Sequence, residues 1–213
     1  MADKQSNPLV TVAETIADNK FIMGDKLVEV GVSGPTLEAS LSSISMAQGE
    51  LGHARLLYRW SYEVQGLRAG KIDVKEQTGK AFSQIVNASN WVDLIAGLYV
   101  NNVAIDLVLK ELMKNKKEEL NAQFDKMLNE QEEHLIYAED WSHQLINDKG
   151  AIPKRFEAQV DEAARAAAKW LDEVQNDEHL QGSGAVSKNS DLPGQFNTVI
   201  NKLPLDRNVT YVG

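Results

Sequence analysis

Apolar residues recur along this chain at alternating steps of three and four, which is the spacing of one face of an α-helix. The pattern predicts four long helices, over about residues 9–30, 35–64, 81–116 and 120–145, and an interruption of the third near residues 87–90. Helices of this length that each carry one apolar stripe are typical of a helical bundle.

The remaining segments differ from these four helices in pattern. Residues 66–79 lose the periodicity and predict a connection long enough to join one helical hairpin to the next. A fifth helix is predicted over about residues 154–179, along the outside of the bundle, and residues 180–213 predict an extended tail that docks on the bundle or on a partner subunit. We therefore expect one all-α domain over residues 1–213, with its four-helix bundle at about residues 9–150.

Each of the four apolar stripes is broken near its middle by polar residues. The second helix places Glu50 and His53 on the same face as its apolar residues, and the fourth helix carries Gln131 and His134 at the same spacing. Lys20 precedes Glu50 by 30 positions and Asn102 precedes Gln131 by 29, so the two hairpins follow one scheme. The breaks therefore predict a polar core at one depth of the bundle, made of Lys20, Glu50, His53, Asn102, Gln131 and His134.

The Glu-x-x-His spacing on an inward face is how ferritin-like bundles bind a pair of iron or manganese ions. Such a site needs Glu, Glu-x-x-His, Glu and Glu-x-x-His on its four helices, so that four carboxylates offset two divalent ions. This chain instead supplies one carboxylate, one ammonium and two amides, a set that is neutral without a metal. We favour a metal-free core in which Lys20 pairs with Glu50 and no cofactor is bound.

Two other interpretations of the same residues stay open. Glu50, His53 and His134 are two histidines and a carboxylate, the ligand set of mononuclear non-haem iron sites, so iron is the alternative cofactor. A two-metal site would need carboxylates from outside the stripes. Asp106 or Glu29 could supply one if the helical register were off by a turn.

Two glycines, Gly49 and Gly52, flank Glu50 in the second helix and weaken it by about 1 kcal/mol each relative to alanine. They predict either a tight helix crossing or room for a substrate near the backbone. The other histidines, His143 and His179, lie in polar surroundings and predict surface or helix-end positions. The four tryptophans at helical spacing predict core or interface packing.

The composition narrows the class of protein. The net charge of −9 argues against a nucleic-acid partner, which needs a basic face. The chain has no cysteine, no secretory N-terminal pattern, and no apolar run that approaches the roughly 18 residues of a membrane span, so we expect a cytoplasmic protein without membrane contact. No serine nucleophile with a nearby base and no glycine-rich phosphate loop is evident.

The run from Asn19 to Tyr58 resembles the phenylacetic acid catabolic proteins, the subunits of phenylacetyl-CoA ring-1,2-epoxidases. The segment GPTLE (34–38) and the segment GHAR (52–55) are close to the structural subunit, whereas the Glu-x-Gly-His form resembles the catalytic one. The resemblance implies a cytoplasmic ferritin-like fold, a catalytic subunit as partner, electrons from a reductase, and an aromatic substrate carried as a CoA thioester.

Carried over by position, Glu50 and His53 match the second-helix ligands of the catalytic subunit, and His134 matches the fourth-helix histidine. Carboxylates of that subunit are replaced here by Lys20, Asn102 and Gln131. The resemblance thus implies a structural or scaffold subunit of a phenylacetyl-CoA-type oxygenase with a degenerate di-metal site. Two alternatives stay open: an active iron oxygenase subunit, and a stand-alone helical homo-oligomer that binds a small molecule.

Overall fold

The computed structural model describes residues 7–67, 78–116, 122–205 and 210–212, which are all helix, turn or irregular structure without a strand. The eight α-helices in these ranges are α1 (Pro8–Glu29), α2 (Leu37–Val64), α3 (Ser83–Val86), α4 (Trp91–Lys116), α5 (Ala122–Ile146), α6 (Ile152–Asn176), α7 (Glu178–Gly182) and α8 (Leu192–Ile200). The prediction of an all-α helical fold is confirmed.

The first hairpin consists of α1 and α2, which pack against each other along most of their length. Helix α1 begins at Pro8 behind the cap residue Asn7, whose side-chain oxygen accepts a hydrogen bond from the backbone N–H of Leu9 at 3.1 Å. A 3₁₀ turn at Gly31–Ser33 reverses the chain, and the hydroxyl of Thr36 caps α2. The predicted bounds of both helices are confirmed to within two residues.

The second hairpin consists of α4 and α5. The expected interruption near residues 87–90 is confirmed, since α3 ends at Val86 and α4 starts at Trp91. Asn90 causes the new start: its side-chain oxygen accepts hydrogen bonds from the N–H groups of Val92 at 3.1 Å and Asp93 at 3.2 Å. The predicted turn that joins α4 to α5 falls largely on residues 117–121, outside the described ranges.

Helix α4 is the central helix of the fold, in contact with α5, α6 and α8. The most apolar 18 residues within its segment Trp91–Asn115 have a mean hydropathy of 1.6, and 94% of them are buried inside the molecule. The expectation that no segment reaches the apolar length of a membrane span is therefore wrong for α4. Its burial by neighbouring helices explains this composition, because a helix covered by other helices needs no polar face.

The C-terminal region packs more closely than the sequence suggested. Helix α6 buries Phe156 and Val160 against the bundle and ends at Asn176, because Asp177 caps a separate helix, α7. The prediction of an extended tail is wrong over residues 192–200, which form α8. Asp191 caps α8. The helix packs on α4 and α6 through Phe196 and other buried residues.

Asp18, on α1, anchors the segment that enters the second hairpin. Its carboxylate accepts hydrogen bonds from the Thr78 N–H at 2.8 Å, the Thr78 hydroxyl at 2.9 Å and the Lys80 N–H at 2.6 Å, and also from the Tyr58 hydroxyl. The predicted connection over residues 66–79 lies mostly in 68–77, outside the described residues. The end of this connection, at Thr78 and Lys80, is thus attached to α1, the helix that carries Lys20.

Candidate functional site

The six residues of the predicted polar core meet in the middle of the bundle. Four of them, Lys20, Glu50, Asn102 and Gln131, are completely buried, and His53 and His134 are 4% and 7% exposed. Each comes from a different turn of α1, α2, α4 or α5, so both hairpins contribute to the site. The shared depth that the interrupted stripes predicted is present in the structure.

Lys20 is the centre of this cluster. Its Nζ lies 2.8 Å from Glu50 Oε2 and donates a hydrogen bond to Asn102 Oδ1 at 2.9 Å. It also donates to Gln131 Oε1. Two of its hydrogen bonds thus go to amide oxygens from the second hairpin, and the carboxylate of Glu50 lies at ion-pair distance. The buried charge is therefore paired.

The two amides of the second hairpin complete this network. Gln131 Nε2 donates to both the backbone oxygen and Oδ1 of Asn102, at 3.1 Å each. Asn102 Nδ2 in turn faces Glu50 Oε1 at 3.5 Å. The amide oxygens point to the ammonium and an amide nitrogen points to the carboxylate, so their dipoles match the charges of the first hairpin.

His134 binds the other side of the carboxylate. Its Nδ1 lies 2.8 Å from Glu50 Oε1. An ionised carboxylate only accepts, so Nδ1 carries the proton of this bond. The opposite edge of the ring lies against Gly49: a Cβ at that position would be 2.9 Å from His134 Cε1. A Cβ at Gly52 would meet nothing within 4 Å, so only Gly49 is needed for the close approach.

His53 contacts a residue that lies off the predicted stripes. Its Nε2 is 2.8 Å from Glu130 Oε2, on α5, and its Nδ1 is buried without a hydrogen-bond partner. The rings of His53 and His134 are 5.5 Å apart between centroids. Glu130 was missed because it stands one position before Gln131, outside the apolar stripe. Its signal is the four-residue spacing to His134, which places the two side chains on the same side of α5.

The pKa values follow from burial and from these contacts. Burial lowers the pKa of Lys20, an effect that the Glu50 carboxylate opposes. Burial would raise the pKa of Glu50, but the Lys20 ammonium and the hydrogen bond from His134 hold it well below its usual range. Burial, and then repulsion by Lys20, lower the pKa of His53 to about 4, and the His53 contact lowers the pKa of Glu130. At neutral pH His53 is thus neutral, and it lies beside Lys20 and Glu50, whose Nζ and Oε2 are 2.8 Å apart.

The other carboxylates considered as ligands are not among the converging ligand atoms. Glu29 is exposed and pairs with Lys26 at 2.8 Å. Asp106 is 7% exposed and pairs with Lys110 at 2.8 Å, and burial raises its pKa. Neither Glu29 nor Asp106 therefore belongs to the group of candidate metal ligands.

The remaining singled-out side chains lie in structural positions. His179 is exposed and His143 is half-buried in the last turn of α5. The tryptophans pack in edge-to-face ring pairs: Trp60 with Phe124, Trp91 with Trp141, and Trp170 with Phe82. The prediction that these rings serve packing is consistent with those contacts.

A single cluster of possible metal ligands occurs in the part of the chain that the structure describes. It consists of Glu50, His53 and His134, with one ligand atom from each within 4.8 Å of the others. The residues do not fit a di-metal centre, because an ammonium 2.8 Å from Glu50 occupies the place of a cation. Both oxygens of the one carboxylate are already engaged, by Lys20 and by His134.

A bundle of long helices with Glu-x-x-His on an inward face is consistent with the ferritin-like class. The sequence model of the phenylacetic acid catabolic protein family matches residues 1–207, and the chain belongs to this family. No curated protein matches the chain significantly. The resemblance seen in residues 19–58 is confirmed and extends over almost the whole sequence. Membership implies a subunit of an oxygenase of phenylacetate catabolism.

Proposed function

We propose that this chain is a structural subunit of a phenylacetyl-CoA-type multicomponent oxygenase, and that its former metal centre is now a self-neutral polar core. The contact that supports this most directly is the one between Lys20 Nζ and Glu50 Oε2, 2.8 Å apart at complete burial. A cation supplied by the chain itself neutralises the buried carboxylate of Glu50, and two amides stand at positions where a catalytic subunit has carboxylates.

Such a core has a structural role. Its hydrogen bonds join α1 to α2, α4 and α5, and they can form only when both hairpins are in register. A buried polar group left without a partner costs about 1–3 kcal/mol, so an incorrect register is disfavoured. The subunit would then supply a bundle of defined shape to the complex, while oxygen activation takes place in a catalytic subunit.

Metal analysis tests this proposal. Protein produced in iron-rich medium and purified without chelators should contain much less than one iron per chain by elemental analysis. The variant Lys20→Glu with Gln131→Glu, which restores two carboxylates at matching positions, should bind more iron or Co²⁺ than the unchanged chain. Stoichiometric iron in the unchanged chain that is lost in His53→Ala would overturn the proposal.

One observation favours a second candidate, an iron oxygenase subunit with a single metal. The ligand atoms of Glu50, His53 and His134 converge, and His53 Nδ1 has no hydrogen-bond partner. Bound there, iron would supply oxygen chemistry, and these residues would hold it. This candidate predicts a visible absorption spectrum with Co²⁺ that requires all three side chains. The repulsion of a dication by Lys20 is the reason we rank it second.

A further inference from the structure

An exposed apolar face lies at the end of the first hairpin, away from the polar core. It consists of large hydrophobic side chains that are 42–73% exposed: Val28, Val32, Leu37, Leu41 and Ile44. Three of them, Leu37, Leu41 and Ile44, are spaced by four and three residues and so share one side of α2. Contiguous exposed hydrophobic residues of this kind are typical of interaction sites.

The internal repeat of the chain shows that the fold does not require this face. The first helices of the two hairpins are offset by 82 positions and the second helices by 81. Val28 then corresponds to Lys110, and Ile44 corresponds to Asp125, both of which are exposed. At these two positions the second hairpin has charged residues where the first has hydrophobic ones, whereas Leu41 corresponds to Ala122. Exposed hydrophobic residues at such positions are what a surface covered by a partner needs.

The charges around the exposed apolar face indicate what covers it. Asp25, Glu29 and Glu38 are exposed beside it, and the nearby Lys26 is paired with Glu29 at 2.8 Å. Three carboxylates and one ammonium leave this border acidic. A second copy of the chain placed symmetrically on the face would bring two acidic borders together, which is unfavourable. A partner with basic residues around an apolar helix face is complementary.

We infer that the exposed apolar face binds the catalytic subunit of the oxygenase, through an apolar helix surface bordered by Lys and Arg. This inference rests on the proposed function and adds the location of the contact. The polar core lies elsewhere, so a variant of the face tests binding without a change in the core.

The experiment uses the full chain and, as probe, a family member that carries the complete Glu, Glu-x-x-His, Glu, Glu-x-x-His set, purified from the same organism. Leu41→Glu buries a charge in the contact and should raise the dissociation constant at least about tenfold. Tyr62→Glu is the matched control. Tyr62 is 42% exposed on the same helix, 21 residues or about 30 Å away, and its change should leave binding intact.

The border gives a second, independent test. The double change Asp25→Lys and Glu38→Lys should weaken binding several-fold at low salt and much less at high salt, because screening removes the difference. Stronger binding after this reversal would overturn the stated chemistry of the partner. Leu37→Glu repeats the test should Leu41→Glu prove unstable by circular dichroism.

The outcomes separate this inference from the proposed function. A complex that forms equally well with Leu41→Glu and Leu37→Glu overturns the inference and leaves the proposed function standing. Self-association of the chain alone that Leu41→Glu abolishes assigns the face to a second copy and also overturns it. If the unchanged chain does not bind the probe at all, the proposed function is overturned, and the inference falls with it.

Discussion

The two helical hairpins place polar residues at matching positions but use different chemistry there. The first hairpin contributes the charges, with Lys20 on α1 and Glu50 on α2. The second contributes neutral dipoles, with Asn102 on α4 and Gln131 on α5. Neither set has all its hydrogen-bond partners alone. Lys20 donates to amide oxygens of the second hairpin. Gln131 Nε2 donates within the second hairpin, but Gln131 Oε1 accepts from Lys20.

Under the proposed function, this difference explains how a former site for two metals is filled by protein atoms alone. One ammonium replaces the positive charge, and two amides replace carboxylates whose negative charge is no longer required. Replacing the carboxylates alone would have left Glu50 as an unpaired buried charge, which is far more costly than a paired one. The comparison thus predicts that substitutions of the core residues in the first hairpin lower the stability of the protein more than those in the second.

The largest effect is expected from Lys20→Met. The change leaves the Glu50 carboxylate buried without its cation, and we expect a loss of about 3–5 kcal/mol in the free energy of unfolding. The double variant Lys20→Met with Glu50→Gln should recover much of that loss, because no charge is then left unpaired. Urea unfolding of the three proteins measures both values.

Lys80→Met is the control for this experiment. Lys80 also forms an ion pair, with Glu14 at 2.7 Å, but the two side chains are 34% and 22% exposed. Solvent screens such a pair, so its loss should cost less than about 1 kcal/mol. Equal effects of Lys20→Met and Lys80→Met would show that the central pair has no special role.

The second effect is a dependence of stability on pH that comes from His53. Its pKa in the folded protein is about 4, below the usual 6.5, so the unfolded chain takes up a proton first as the pH falls. Its contribution to stability is present above pH 6.5 and is lost as the pH approaches 4. The loss reaches about 3 kcal/mol, at 1.36 kcal/mol per pKa unit.

Unfolding experiments between pH 7 and pH 4 measure this dependence. The free energy of unfolding should fall less steeply with pH in His53→Asn than in the unchanged chain. His179→Gln should leave this slope unchanged, because His179 is exposed. A slope that persists in full in His53→Asn would contradict the assignment.

The smallest effect distinguishes the two glycines of α2. A Cβ at position 49 would lie 2.9 Å from His134 Cε1, so Gly49→Ala should displace the ring and cost about 1–3 kcal/mol. Gly52→Ala meets nothing within 4 Å and should stabilise the helix by about 0.5–1 kcal/mol. Thermal unfolding of both variants checks this difference in sign; two changes of the same sign would contradict it.

Most of the helical framework could be predicted from the sequence, because it depends on short-range signals. The spacing of apolar residues locates α1, α2, α4, α5 and α6, and the break before Trp91 comes from the Asn90 cap. Helix α8 was missed although its signals were present: Asp191 as cap, Pro193 in the first turn, and Phe196 with Ile200 at helical spacing. They lie among the mixed residues of the C-terminal region, whose overall pattern predicts an extended tail.

Six residues of the site could be predicted, but Glu130 and the contacts between the residues could not. The interrupted stripes brought six residues to one depth. The pattern along a helix cannot say which atom of a neighbouring helix each group will meet. The contact of His53 with Glu130 depends on how α2 and α5 are rotated against each other. The four donors to Asp18 belong to Tyr58, Thr78 and Lys80, which are at least 40 positions from it in the chain.

The fully paired ammonium at the centre also restricts how this chain can change over generations. A replacement of Lys20 by glutamate alone would place two carboxylates side by side in the core, and a replacement of Gln131 alone would add an unmatched negative charge. Each first step towards an iron site therefore lowers stability before any affinity for metal is gained. Under the proposed function, a return to a metal site would therefore require Lys20 and Gln131 to change together.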